Sequence, residues 1–331
     1  PRHGGERTSR TLRSPFRTAM PWPSLPLDDW RDTVATLHRW AQLVGKVRLA
    51  YAPWVNHSWH VPLYVTARGL STSLVPMADG GFEVTFDLVD HRLRIETTGG
   101  DRRSFALRPM TVAAFHDRLM GALAEVGIEA DVWPMPVEIP DPVTPFPDDA
   151  EHEAYDPEAV ARFWQVLVSV QRVLTRFRAG FTGKVSPVHF FWGAFDLAVT
   201  RFSGRTAPTH PGGAPHLADW VMAEAYSHEV SSAGFWPGEG LGEPAFYSYA
   251  YPEPDGYRAA SVEPEAAFYH AELGEFILPY EAVRTAEDPD AALLAFLETT
   301  YAAAADLGDW DRDALEWNGP LADDATRGPD G

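Results

Sequence analysis

Two amphipathic segments divide the sequence, and each is followed by stretches rich in β-branched and aromatic residues. In both segments apolar residues recur at three- and four-residue spacing, which is typical of a helix with one buried face. They are Trp30, Val34, Leu37, Ala41 and Val44, then Val160, Phe163, Leu167, Val170 and Leu174. Asp28 or Asp29 can cap the first helix, and Asp156 with Pro157 the second. Long helices that each lead into several strands predict an α+β protein.

In the first half, four strands are predicted between the first helix and the next one. They lie, in chain order, at 63–75, 81–90, 92–98 and 102–109. A helix over 112–126 follows, with Thr111 as its cap. Residues 130–139 contain prolines and are predicted to form an edge strand. Gly45 is expected to end or kink the first helix.

The second half is predicted to repeat this order. The elements expected there are a strand at 189–204, a loop at 205–215, a helix at 216–229, strands at 245–254 and 275–283, and a helix at 288–306. The segments NHSWHVPLYVTAR and VHFFWGAFDLAVTR align with histidine on histidine, and Arg68 falls near Arg201. We interpret the chain as two similar α-β-β-β-α halves from an internal duplication, packed around an interface pocket. Two unrelated α+β segments are the alternative.

These patterns also divide the chain into regions. Residues 1–19 are basic and are expected to be a disordered tail, and 20–133 form the N-terminal half. Residues 134–155 are rich in proline and aspartate and are predicted to be a linker. The C-terminal half covers 156–317, and 318–331 are expected to be a second disordered tail.

Charge and composition argue against several functions. The net charge of the 331 residues is −20, and without a basic face the chain is not expected to bind nucleic acid. The absence of cysteine excludes disulfides, thiolate nucleophiles and cysteine-ligated metals. No apolar run approaches the roughly 18 residues of a membrane helix, and no signal peptide is recognised. We therefore expect a cytoplasmic protein without a membrane partner, and the sequence contains no nucleotide-cofactor motif.

Histidines are the first candidates for chemistry. His57 and His189 each lead a predicted strand, one in each half, and would meet at the interface. On a regular strand His57 and His60 would point to opposite faces, so a turn or bulge is needed to bring both to one site. Pro62 makes such an irregular entry reasonable. For each histidine the alternative is a hydrogen-bonded core residue.

The segment EAYSHEV adds a third candidate histidine. On the predicted helix, Glu224 and His228 lie four residues apart and share a face. The residues assigned to acid–base catalysis are His57, His60, His189, His228 and Glu229. The residues assigned to a divalent metal are His57, His189, His228 and Glu224, whose types suit zinc, manganese or iron.

Further residues are expected to bind a ligand. They are Asn56, Trp59, Tyr64, Arg68, Trp192, Asp196, Arg201, Lys46 and Lys184. Asp196 is predicted to lie within a strand, where a carboxylate needs a partner, and Arg201 or Arg68 is the expected one. A structural ion pair is the alternative for Asp196, and a place in the core is the alternative for the tryptophans.

The two lysines stand out because the chain holds only these two among 27 lysine and arginine residues. A lysine is a compact donor whose pKa shifts when it is buried, which suits a ligand site. A solvated lysine at a helix end is the alternative.

Four segments of the chain together resemble one bacterial family, domain of unknown function 5996 (DUF5996). They are WRDTVATLHRWAQLVGKVRLA, NHSWHVPLYVTARGLSTS, KVSPVHFFWGAFDLAVTRFSGR and EAYSHEVSSAGFWPG. The resemblance spans about residues 22–315 and implies one coherent folded unit, but the family carries no assigned activity and supplies no catalytic residues. From the residues we expect an enzyme that acts on a small organic molecule through a His/Trp-rich pocket, with or without a divalent metal. A non-catalytic small-molecule binding protein and, third, a protein-interaction module are the alternatives.

Overall fold

The computed structural model describes residues 22–317 and Gly319. Within this part of the chain, helices pack on two antiparallel six-stranded β-sheets, which confirms the α+β class. No described helix is long and apolar enough to cross a membrane. The predicted tails at 1–19 and 318–331 lie outside the described residues, except for Gly319.

The N-terminal half combines a long helix with the first sheet. A 3-10 turn at Leu27–Asp29 precedes α1 (Arg31–Tyr51), and α2 (Val112–Ala124) follows the strands. The strands are β1 (Tyr64–Thr66), β2 (Gly69–Ser71), β3 (Val75–Met77), β4 (Gly80–Asp87), β5 (Arg92–Thr97) and β6 (Arg102–Ala106). Their order is β1-β2-β4-β5-β6, and β3 also pairs with β4. Phe82, Val84 and Ile95 are among the alternate residues that are buried in the core.

The C-terminal half begins with α3 (Pro157–Ala179) and carries the second sheet. Its strands are β7 (His189–Phe191), β8 (Asp196–Thr206), β9 (His228–Trp236), β10 (Ala245–Tyr251), β11 (Phe268–His270) and β12 (Glu275–Pro279), in the order β11-β12-β10-β9-β8-β7. Its remaining helices are α4 (Asp219–Ala225), α5 (Tyr280–Arg284), α6 (Pro289–Leu307) and α7 (Arg312–Leu315).

The second sheet has two different faces. Because successive residues of a strand point to opposite sides, Leu197 and Val199 of β8 are buried in the hydrophobic core, on the side covered by α3 and α6. Asp196, Ala198 and Thr200 point the other way and line a cavity. This alternation places the candidate site on the face of the sheet that the long helices do not cover.

The two sheets meet at their edges. Leu63, just before β1, and Phe190 of β7 exchange two backbone hydrogen bonds, with N···O distances of 2.8 and 2.7 Å. Both residues are fully buried. The contact joins the first strand of one half to the first strand of the other.

Two of the three helix caps agree with the sequence. Thr111 accepts a hydrogen bond from the Ala114 backbone N–H, and Asp156 accepts from the two residues that follow Pro157. The predicted cap of α1 is wrong, because Trp30 precedes that helix without a side-chain cap. Asp28 instead accepts a hydrogen bond from the Arg31 guanidinium.

Two predicted long strands are hairpins. The 63–75 stretch turns between β1 and β2, and Gly69 opens β2 with φ of 151°. A Cβ on Gly69 would lie 2.0 Å from the Phe86 carbonyl oxygen, so only glycine fits there. The 189–204 stretch turns between β7 and β8, where Phe195 has φ of 57°. Alternation of apolar residues continues through both tight turns, so the pattern did not mark them.

Two further predictions are wrong. The helix predicted at 216–229 ends at Ala225, and His228 opens β9 opposite Thr206, because sheet pairing takes over from the helix. Residues 130–139 form no strand. The prolines there lack the N–H that a ladder needs, and the Val137 N–H donates to the Gln42 side chain instead.

Gly45 neither ends nor kinks α1, which continues to Tyr51. A Cβ at Gly45 would lie 2.2 Å from atoms of the Trp192 ring. Glycine is therefore required here because the tryptophan ring rests directly on the helix backbone.

We expect Gly45→Ala to lower the free energy of unfolding by about 1–3 kcal/mol, because the added methyl group displaces Trp192 from a close-packed site. The matched control is Gly121→Ala in α2, where a Cβ meets nothing within 4 Å. That variant should gain up to about 1 kcal/mol from helix propensity alone. Denaturant titration of both variants measures the two effects, and a stabilising Gly45→Ala would contradict the packing described.

Candidate functional site

A cavity of about 550 Å³ lies on the free face of the second sheet. Its floor comes from β8, β9, β10 and β12. Its other walls come from the 3-10 turn at Asn56–Ser58, from α4, and from the segment around Glu138. A depression of about 660 Å³ beside Tyr257–Ala259 is more open to solvent. The enclosed cavity is therefore the better candidate for a small-molecule site.

Ten aromatic side chains line the cavity. They are Trp54, Trp59, Phe191, Trp192, Phe202, Trp220, Tyr226, Trp236, Tyr247 and Tyr249. The Trp192 indole N–H donates to the Val61 carbonyl at 2.9 Å, which fixes the ring. Trp54 and Trp220 contact each other with ring centroids 5.0 Å apart, and they are 45% and 60% exposed. These two exposed tryptophans therefore mark the opening of the cavity.

Three carboxyl groups also line the cavity: Asp196, Glu138 and Glu275. Asp196 is only 4% exposed and accepts a hydrogen bond from the Tyr247 hydroxyl. None of the three forms an ion pair with a described residue, although 19 such pairs occur in this part of the chain. The cavity therefore concentrates acidic groups that the protein does not neutralise.

Burial controls the protonation of these carboxyl groups. It raises the pKa of Asp196 to about 7, and the nearby Glu138 adds to the rise while the Tyr247 hydrogen bond opposes it. Burial and the neighbouring Asp196 raise the pKa of Glu275 to about 8. Burial also raises the pKa of Glu138. A carboxyl group removed from water without a cation favours its neutral form.

Glu138 is held in an unusual backbone conformation. Its φ is 59°, a left-handed value that is rare for residues other than glycine. Its carboxyl group packs so closely on Gly193 that a Cβ there would lie 1.9 Å from Oε1. Backbone strain of this kind occurs at functional sites more than elsewhere, and here it directs an acid into the cavity.

His57 lies in the 3-10 turn, which confirms the irregular entry predicted for this segment. His57 and Ser58 both have left-handed φ values, 58° and 57°. The His57 backbone N–H donates to the Glu224 carboxylate at 2.9 and 3.1 Å. Its ring Nδ1 lies 2.9 Å from the Ala225 carbonyl, which requires the proton on Nδ1. Nε2 then accepts from the Lys184 amine at 2.6 Å.

Both ring nitrogens of His57 are thus engaged inside the protein. Burial lowers the pKa of His57, and the Lys184 charge lowers it further. Burial also lowers the pKa of Lys184. The ring is neutral at neutral pH and links the turn to α4 and to Lys184.

Of the other predicted histidines, His228 lies near His57, with ring centroids 5.7 Å apart, whereas His189 and His60 lie elsewhere. His189 is fully buried in β7 and does not line the cavity, and burial lowers its pKa to about 3. His60 packs on Trp54, and its Nδ1 lies 3.2 Å from the Val55 carbonyl. The His228 Nδ1 lies 3.1 Å from the Ser227 hydroxyl.

The structure does not bring the predicted metal set together. Glu224 belongs to α4 and His228 to β9, so they do not share a helix face as expected. Glu229 pairs with Arg205 instead of facing the cavity. Among residues 22–317, no three His, Cys, Asp or Glu side chains are placed to hold a metal ion.

The expected partners of Asp196 are also wrong. Arg201 is buried on the opposite face of β8, with its guanidinium 3.5 Å from the centre of the Phe177 ring. Arg68 pairs with Asp87 and Asp90. Arg201 points away from the cavity because strand alternation places it on the face of β8 opposite Asp196. Arg68 is held in the other half by its ion pairs.

Four predicted residues line the cavity: His57, Trp59, Trp192 and Asp196. Other predicted residues lie outside its wall, namely Asn56, His60, Tyr64, Arg68, His189, Arg201, Glu224, His228 and Glu229. Lys46 and Lys184 also lie outside it, but both amines approach tryptophan rings of the wall, at 5.8 Å from Trp192 and 5.4 Å from Trp59. Lys46 is 5% exposed, and burial lowers its pKa to about 8.

Sequence reasoning missed several wall residues: Glu138, Tyr226, Tyr247, Tyr249 and Glu275. Two of them carried a signal. Glu138 lies between two prolines, and Glu275 is an acid next to the apolar run FIL. A charged residue in such a place is costly unless it has a function.

Comparison with known proteins gives one match. A family model described as a family of unknown function (DUF5996) matches residues 22–317. No curated protein and no solved structure matches the chain. The family match covers both halves and the whole cavity.

We expect the contribution of Asp196 to the stability of the protein to fall as pH rises from about 4 to 7. The folded protein holds a proton on Asp196 up to a pKa of about 7, whereas an unperturbed aspartate loses it near 3.8. Between these values the native state binds more protons than the unfolded state, so the free energy of unfolding decreases with pH. Asp196→Asn should make this decrease smaller, because an amide does not titrate in this pH range. Its oxygen can still accept the hydrogen bond from the Tyr247 hydroxyl.

Urea titrations at pH 4.5, 6 and 8 test this expectation. Asp101→Asn, on an exposed turn, is the control and should keep the wild-type slope. If the difference in stability between the wild type and Asp196→Asn does not change with pH, the pKa of Asp196 is not raised in the folded protein and the expectation is wrong.

Proposed function

The chain belongs to the DUF5996 family, and we propose that its function is to bind a small organic molecule in the aromatic cavity. The observation that carries this proposal is the cavity itself, which is enclosed, apolar and large enough for a ligand of metabolite size. Its polar groups include the carboxyls of Glu138, Asp196 and Glu275, which can orient a ligand. Binding here includes no chemical conversion of the ligand.

The arrangement of the histidines supports binding over catalysis. A catalytic base needs a free ring nitrogen that can reach the substrate. The nitrogens of His57 are occupied by Ala225 and Lys184, and His189 lies in the core. The carboxyl groups of Asp196, Glu138 and Glu275 face the cavity and have no basic partner among the described residues.

The opening of the cavity also supports a small-molecule ligand. Trp54 and Trp220 are exposed, and α4, which carries Trp220, has no buried residue. An element with so few core contacts can move at low cost. The ligand would enter beside α4.

A substitution that fills the cavity should abolish binding. Ala198 is 3% exposed and lies on the floor, so Ala198→Phe places a ring where the ligand would lie. We expect 2-phenylethanol at millimolar concentration to raise the Tm of the wild type but not that of Ala198→Phe. Ala124→Phe, on the exposed side of α2, is the control and should respond like the wild type. An equal Tm increase in all three proteins would contradict binding in this cavity.

Catalysis through His57 is the second candidate, and one observation favours it. Two consecutive non-glycine residues with left-handed φ are costly, and they fix the His57 ring in the cavity wall. In that case the Lys184–His57 pair would act as the acid–base group.

The two candidates differ in the fate of the ligand. We expect a bound compound to be recovered unchanged after long incubation, as measured by mass spectrometry of the released ligand. Conversion by the wild type, and none by His57→Asn, would replace binding with catalysis. Asparagine is the suitable substitution because it tolerates the left-handed conformation.

We also infer that the two halves arose by duplication, with the cavity as a product of their packing. In each half a long helix leads into a hairpin, β1–β2 or β7–β8. The first strands of the two hairpins meet through Leu63 and Phe190. Reciprocal bonds between corresponding edges are what a twofold relation between halves would produce.

A further inference from the structure

The cavity contains acidic groups without basic partners. Asp196, Glu138 and Glu275 line the same cavity, where Glu138 raises the pKa of Asp196 and Asp196 raises that of Glu275. One oxygen of Glu275, Oε2, is buried and has no hydrogen-bond partner. Groups of this kind are costly to bury, and a ligand that hydrogen-bonds to them would remove that cost.

Glu138 points to the ligand more directly. Its side chain is half-buried, and among residues 22–317 its carboxyl group has no hydrogen-bond or ion-pair partner. The surface that it still exposes lines the cavity. A strained backbone and a close fit on Gly193 hold it there, so its orientation is built into the fold.

The walls around these acids suit a cation. Aromatic faces attract positive charge, and tryptophan does so most strongly. The Trp236 ring lies 4.7 Å from the Tyr247 ring, whose hydroxyl group binds Asp196. Aromatic faces and carboxyl groups thus occur side by side, as in known sites for organic ammonium ions.

We propose that the ligand of this cavity is an organic ammonium ion with an apolar body, and that Asp196, Glu138 and Glu275 hold its charge. This inference rests on the proposed binding function and names the class of ligand. On binding, an ammonium group supplies the positive charge that the carboxyls lack, so they release protons and accept hydrogen bonds from it.

A neutral ligand fits the site less well. Protonated carboxyls can donate hydrogen bonds to a neutral acceptor, but one acceptor satisfies only one or two of the three groups. An anionic ligand would meet repulsion from any ionised carboxyl and would find no arginine or lysine in the cavity wall.

The other titratable groups that face the carboxyls come from several elements around the cavity. They are Tyr247 and Tyr249 on β10, Tyr226 at the end of α4, and His57 with Lys184 beside it. Burial raises the pKa of each tyrosine and lowers that of His57, so these groups stay neutral near pH 7. His38, which pairs with Glu239, opposes the rise in the pKa of Glu138. Lys46, near Trp192, titrates close to pH 8, so carboxyl variants are needed to assign a pH effect.

Three matched probes test the charge of the ligand. They are 2-phenylethylamine, 2-phenylethanol and 3-phenylpropionate, which present a cation, a neutral group and an anion on the same ring. By titration calorimetry at pH 8, we expect the amine to bind at least about tenfold more tightly than the alcohol. The ratio should shrink at pH 6, where the carboxyls hold their protons.

Single substitutions assign the preference to the carboxyls. We expect Glu138→Gln and Glu275→Gln each to reduce the amine-to-alcohol ratio by several-fold. Glu229→Gln, an acid paired with Arg205 outside the cavity, should keep the wild-type ratio. The wild-type comparison stands even if one carboxyl variant does not fold.

The outcomes separate this inference from the proposed function. If the alcohol or the propionate binds as tightly as the amine, the cationic ligand is overturned and the binding cavity remains. If none of the three probes binds at about 10 mM, the binding free energy is weaker than about 3 kcal/mol. The binding function and the inference are then both overturned. An amine preference that survives both glutamate substitutions would place the cation elsewhere and overturn the assignment.

Discussion

Side chains alternate along β8, and this alternation separates the hydrophobic core from the cavity. Leu197 and Val199 face α3, whereas Asp196, Ala198 and Thr200 face the other side. With α3 and α6 covering one face, the protein needs little apolar surface on the other. The free face can therefore carry acids, hydroxyls and a small residue without loss of the core.

The remaining walls of the cavity are formed by segments that cover this free face of the second sheet. The turn at Asn56–Ser58 reaches it because Leu63 and Phe190 tie the two sheets together at their edges. The Trp192 ring lies on the backbone of α1 at Gly45 and fixes one wall. Elements far apart in the chain thus meet over the sheet, and the cavity exists only in the folded protein.

The electrostatics of the cavity follow from the same geometry. No described basic residue pairs with the three carboxyls, so burial raises the pKa of Glu138, and it raises that of Asp196 to about 7 and that of Glu275 to about 8. The protein loses stability by this arrangement as pH rises. Sites that bind or react commonly accept such a cost, which is why perturbed acids indicate function.

Local patterns predicted much of the fold but only part of the site. Helix spacing and caps located α2 and α3, and the run of aromatic residues after His57 and His189 pointed to Trp59 and Trp192. Strand lengths were wrong where an alternating pattern continues through a turn, as at Phe195.

Glu138 and Glu275 carried a local signal, but their shared place in the cavity could not be predicted, because it depends on which distant segments the sheet order brings together. The pairing of Asp196 with Tyr247 depends on the same order. His189 shows the opposite error. Its resemblance to His57 in sequence predicted a place in the cavity, but the residue lies in the core.

The central claim is that Asp196 and Glu275 hold their protons at pH 6 until a cation binds. Infrared spectroscopy measures this directly, because protonated and ionised carboxyl groups absorb at different frequencies. We predict a protonated-carboxyl band at pH 6 that is lost in part in Asp196→Asn and that decreases when 2-phenylethylamine is added to the wild type. Absence of this band at pH 6 in the unliganded protein would contradict the account, because it would mean that the carboxyls are already ionised and paired.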